Sequence, residues 1–142
     1  MDEESVTITL KKSLLEHGFY VKKLADRTTQ GIPDTFLCKN KRGMFVEIKY
    51  MELVRYPKTF QNWGKLKPSG KLVQLTTMVQ FDSHFLARYF FIFNIKDRGV
   101  FYCRFMPAIL LDHMQRDESV VLPELVKLEV FIGQIKMLLQ VT

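Results

Sequence analysis

Residues 89–95, Tyr-Phe-Phe-Ile-Phe-Asn-Ile, leave the chain little choice of architecture. A run of aromatic and β-branched side chains broken only by Asn94 has no solvent face, so it predicts a strand at the centre of a sheet covered on both sides. A Lys-Asp-Arg-Gly turn and a second strand over 100–105 make a hairpin with it. Val6, Leu10 and Leu14 recur at helical spacing, widened by Ile8 and Leu15, which predicts a helix over 3–17 that Gly18 ends and that packs on the sheet. Phe19 to Leu24 alternates as a strand. A second helix spans 71–88 through Leu72, Leu75, Val79 and Leu86, and Pro107 opens a third that runs to Gln115. Leu125 to Val141 is apolar and reads either as a terminal strand and helix or as a partner-binding face. The class is therefore α/β, a mixed central sheet of four or five strands flanked by helices. With 142 residues, 47% of them hydrophobic, the chain supports one compact core and is too short for two of typical size, so residues 1–142 read as one domain.

The chemistry concentrates between the first strand and the second helix. Gly31-Ile32-Pro33-Asp34 precedes a β-rich arm, Thr35 to Lys39, and a second arm, Met44 to Tyr50, follows the turn Asn40-Lys41-Arg42-Gly43. Side chains two apart in a strand point the same way, so Glu47 and Lys49 share one face while Val46 and Ile48 pack on the other. Asp34, opening the first arm, can lie beside them. Two carboxylates and an ammonium at the edge of an apolar hairpin make a site for a hard divalent cation and an anionic substrate.

Pro33-Asp34 followed after a hairpin spacing by Glu47-Ile48-Lys49 resembles the signature of the PD-(D/E)XK nuclease superfamily. The resemblance implies a restriction-endonuclease-like fold and a DNA endonuclease that uses Mg²⁺, with Mn²⁺ a possible substitute. It also implies that Asp34, Glu47 and the Ile48 carbonyl hold the metal and that Lys49 acts with them. Within the superfamily the chain is similar to the archaeal-type and RecU-like Holliday junction resolvases and to the VRR-NUC nucleases. The archaeal-type resolvases carry a glutamate on their N-terminal helix that joins the site, which implies that role for Glu4; Glu3 and Glu4 are equally explained as carboxylates stabilised in a first helical turn. RecU-like and VRR-NUC proteins carry a glutamine on the helix after the catalytic strands, a role that falls to Gln80, and an exposed helical glutamine is the plainer alternative. The expected substrate is branched DNA, above all a four-way junction, cut by a homodimer. Within the superfamily a single-strand, flap or restriction-type nuclease is the alternative, and a non-catalytic DNA-binding module is the alternative outside it.

Charge agrees with that chemistry. Lys and Arg number 21 against 15 acidic residues, and the formal charge of +6 favours an anionic partner. From 51 to 71 periodicity fades and the chain reads as a long basic loop or excursion. Arg55, Lys58, Lys65, Lys67 and Lys71 there can neutralise phosphates, and Tyr56, Phe60 and Trp63 can stack on unpaired bases or fold back onto the core. His17, His84 and His113 have no common spacing, and Cys38 and Cys103 lack zinc-site spacing and read as reduced core thiols. A Ser/His/Asp or Cys/His hydrolase is accordingly a poor fit. No apolar run approaches the roughly 18 residues that cross a bilayer, and Met-Asp-Glu-Glu does not open like a secretory leader. The expected setting is the cytoplasm of a prokaryotic or virus-bearing cell, with no membrane partner.

Overall fold

The computed structural model describes residues 3–24, 33–53, 72–95, 100–107, 109–110, 113 and 125–142. In chain order they form α1 (Glu3–Glu16), β1 (Tyr20–Lys23), β2 (Thr35–Lys39), β3 (Arg42–Leu53), α2 (Leu72–His84), β4 (Ala87–Ile95), β5 (Val100–Met106), β6 (Val126–Lys127) and α3 (Leu128–Leu139). The strands build one sheet in the order β1-β2-β3-β4-β5-β6. Every neighbouring pair is antiparallel except β3 and β4, which run parallel. A parallel join needs a crossover, and α2 lies within it.

Alternation along the strands divides the core in two. Leu37, Met44, Val46, Phe90, Ile92 and Cys103 pack with Val6, Leu10 and Leu14 of α1 and with Phe131, Ile132 and Ile135 of α3. Tyr89, Phe91 and Phe93 point the other way and pack with Met78, Val79 and Phe81 of α2. β4 thus serves both layers, which is why its sequence shows no polar alternation. α1 ends as its glycine predicts. Gly18 adopts φ 85°, its N–H donates to the Leu15 carbonyl and that of Phe19 reaches back to Leu14, both at 3.0 Å. Lys39 Nζ donates to the His17 carbonyl at 2.8 Å and Lys136 Nζ lies 2.9 Å from His17 Nδ1, tying the end of α1 to β2 and α3.

Three boundaries differ from the sequence reading. The sheet has six strands, because Val126 and Lys127 add a short one against Cys103 and Tyr102. β3 continues to Leu53, since Met51, Glu52 and Leu53 pair with Phe93, Asn94 and Ile95, so the 51–71 stretch begins as strand. α2 stops at His84, and Ala87 and Arg88 open β4; Asp82 Oδ1 accepts the Ala87 N–H at 3.1 Å and the Arg88 guanidinium, fixing the reversal. Of the helix expected over 107–115, Ile109, Leu110 and His113 are helical and the intervening positions lie outside the described residues. Cys103 is buried and Cys38 half-buried, both as free thiols; burial pushes the Cys103 thiol up to about 12. Among the described residues no helix is long and apolar enough to cross a membrane.

Candidate active site on the α2 face of the sheet

Strand register brings the predicted acids together. β2 and β3 pair Thr35 with Val46 and Phe36 with Phe45, so the next position aligns Asp34 with Glu47 on the face that α2 covers. The parallel pairing then sets Tyr89 beside Glu47 and Phe91 beside Lys49. One row across the sheet reads Asp34, Glu47, Tyr89, and the next reads Lys49, Phe91, Arg104. The site lies inside the sheet, because β4 flanks β3 on its second side.

Hydrogen bonds lock the row. The Asp34 N–H donates to Glu47 Oε2 at 3.0 Å, and Lys49 Nζ donates to Glu47 Oε1 at 3.2 Å. Thr35 Oγ1 donates to Asp34 Oδ1 at 2.9 Å, and the Ile48 amide also bonds the Asp34 carboxyl. Glu47 is buried, at 7% exposure. Burial first, and then the neighbouring Glu47 charge, raise Asp34 from its ordinary 3.8 to about 6. Burial, with the Glu47 charge beside it, holds the Tyr89 hydroxyl well above the ordinary phenol range, so it stays neutral.

Pro33 has a role here that its sequence position only hints at. In an antiparallel strand the N–H and C=O of one residue point to the same side. The Ile48 N–H points toward Asp34, so its carbonyl points that way too, opposite Pro33, whose nitrogen has no hydrogen to donate. Pairing therefore stops at the site, and the Ile48 oxygen is left facing the Asp34 side of β3. The oxygens gathered at this point are two carboxylates and one carbonyl, with a single ammonium to balance them. An all-oxygen set with net negative charge suits a hard divalent ion.

The remaining predicted residues stand apart or undescribed. Gln80 is exposed on α2, and among the described residues its amide makes no hydrogen bond to Asp34, Glu47 or Lys49. Glu4 lies in the first turn of α1, whose side chain there is outside the described residues, and α1 itself packs on the face away from the carboxylates. Arg55, Lys58, Lys65, Lys67 and Lys71 all lie outside the described residues. Among the described residues no three His, Cys, Asp or Glu side chains converge. Sequence reasoning missed Tyr89, because its place beside Glu47 depends on a parallel register that no local pattern encodes.

No protein-family model matches the chain, and no curated protein does. Among solved structures it is similar to Hjc, a Holliday junction resolvase from the archaeal hyperthermophile Archaeoglobus fulgidus, at 18% sequence identity and a TM-score of 0.45, over 73% of this chain and 75% of that one.

Proposed function

We propose that the chain is a divalent-metal-dependent DNA endonuclease of branched DNA, a Holliday junction resolvase or a close structure-selective relative. One observation carries the reading: Asp34 and Glu47 meet in register on one face of the sheet, with Lys49 held at 3.2 Å from Glu47. Asp34, Glu47 and the Ile48 carbonyl would hold Mg²⁺ or Mn²⁺, and Glu4 and Gln80 remain candidates for joining them. When bound, such an ion makes a water more acidic and offsets the charge that develops on phosphorus and the leaving oxygen. Glu47 keeps one oxygen on the Asp34 amide and the other on Lys49, so its carboxylate cannot rotate freely. Lys49 is thereby positioned to neutralise a phosphate oxygen or orient the attacking water. Tyr89 and Phe91 behind them exclude solvent, which strengthens each of these interactions. Cleavage of a two-fold symmetric four-way junction needs two matched cuts, which a C₂ homodimer supplies.

Incubation with four-way junction, flap, duplex and single-stranded DNA in Mg²⁺ or Mn²⁺ tests the reading. Loss of partners that merely support a metal ligand costs about 10- to 100-fold, so removing a ligand should cost about 100-fold or more. Asp34→Asn and Glu47→Gln are expected to lose cleavage on that scale while keeping the wild-type circular dichroism and most of the DNA affinity. A wild-type rate in either variant rules the assignment out.

A further inference from the structure

β1 carries side chains that the proposed reaction does not use. Tyr20 and Lys22 are exposed, and Val21 between them packs into the α1/α3 core, so both stand on the α2 face with Asp34 and Glu47. Register sets Lys22 opposite Phe36 and Tyr20 opposite Cys38. Phe36 follows Asp34 by two residues on that face, a step of about 6.6 Å along the strand. Its ring lies across Gly43, where a Cβ would come within 2.7 Å of Phe36 Cζ. The Phe45 ring is 5.1 Å from that of Phe36, and the Phe85 ring 6.3 Å. Tyr20 is 59% exposed and Phe85 45%.

Aromatic surface gathered in one place, and not scattered singly, marks a binding site. Here Lys22 stands opposite Phe36, whose ring meets those of Phe45 and Phe85, with Tyr20 two residues along β1 on the same face, on a chain with formal charge +6. Rings offer stacking faces to bases, and the ammonium matches the phosphate between them. Paired bases inside a duplex have no free face to give, whereas bases at a flap or a branch point do. Resting on the nuclease reading above, we propose that Tyr20, Lys22, Phe36 and Phe85 hold the unpaired or unstacked nucleotides that flank the scissile phosphate of branched DNA.

Emission of 2-aminopurine placed beside the cleaved bond reads such stacking directly, and the Asp34→Asn protein keeps the DNA intact during titration. Emission should change on binding to a flap and a four-way junction, and not to a fully paired duplex. Tyr20→Ser and Phe85→Leu should each weaken flap binding about tenfold and leave duplex binding where it was, with Phe85→Leu keeping an apolar side chain in the cluster. Lys22→Ala should lower the salt slope by about one. Equal losses on flap and duplex, or wild-type binding by both ring variants, would overturn the stacking surface. The two failures are separable: a wild-type protein that cuts no DNA in the panel removes the nuclease reading, while one that cuts normally alongside unaffected ring variants removes only this inference.

Discussion

Asp34 shows how a single residue reports on its site. The folded protein holds it at about 6 against an ordinary 3.8, through burial and the Glu47 charge. Between those values the folded state retains a proton that the unfolded chain has lost, so stability falls as pH rises through the window and stays low above it. The ionised pair is therefore a cost to the metal-free fold at neutral pH. The shift corresponds to about 3 kcal/mol at 1.36 kcal/mol per unit, reduced to about 1–2 because the carboxyl is partly solvated. Asp34→Asn, which keeps the size and one acceptor oxygen, should raise the metal-free melting temperature at pH 7 and leave it little changed at pH 4. Mg²⁺ should raise the wild-type melting temperature and not that of the variant. A metal-free Asp34→Asn protein less stable than wild type at pH 7 would show that the carboxylate is not under this strain. At this scale the sequence was largely legible: alternation put Glu47 and Lys49 on one face, and the turn length allowed Asp34 to meet them. The work of Pro33 was not, because it appears only when the Ile48 carbonyl is seen across from it.

Elements were legible where one periodicity ruled. The α1 stripe of Val6, Leu10 and Leu14 and the unbroken apolar run of β4 both occupy the positions their spacing predicted. Boundaries failed where tertiary pairing overrode local signals. Met51 to Leu53 carry no strong strand signal and become strand by pairing with the end of β4, and β6 is two residues long and exists only because β5 offers an edge. The β2–β3 turn combines both cases. Gly43 was readable as a turn glycine, yet the positive φ values fall on Asn40 at 53° and Lys41 at 65°. Gly43 is instead required by close approach: an added Cβ meets Phe36 Cζ at 2.7 Å and the Cys38 Cβ and Leu37 carbonyl at 2.9 Å. The phenyl ring can swing away, but the backbone oxygen cannot. Gly43→Ala is expected to cost about 1–3 kcal/mol, measured by urea denaturation. It should also displace the Phe36 ring and so reduce flap binding by the folded fraction. Stability within experimental error of wild type would mean the hairpin absorbs the methyl.

Across the whole molecule, the two-fold symmetry of a four-way junction, the substrate proposed above, sets a condition that the two-faced sheet has to meet. Three stretches carry the apolar or basic side chains that a dimer interface could use: 89–95, 51–71 and the apolar C-terminal segment. The first is consumed by the core, since Tyr89 to Phe93 are 0–4% exposed, and most of the second lies outside the described residues. In the third, α3 buries Phe131, Ile132, Ile135 and Leu139 and exposes Val130 at 54% and Met137 at 80%. These two are seven residues apart on the outer side of the α1/α3 layer, and Ile8 and Leu15 repeat that spacing on α1 at 60% and 51% exposure. The carboxylate row, however, lies on the opposite face of the sheet. Pairing two copies through α3 would set the sites back to back, whereas two matched cuts in one junction need both sites turned toward the same DNA. A resolving dimer must therefore form along the side of the sheet or through α2-side segments, and Met137→Glu should leave it intact. Light scattering at micromolar concentrations, with and without a four-way junction, should show a dimer for both wild type and Met137→Glu, each cutting junctions in symmetric pairs. A wild-type protein that stays monomeric and leaves unpaired nicks would instead identify a simple nicking nuclease, and a dimer lost on Met137→Glu would place the contact on α3 and separate assembly from junction resolution.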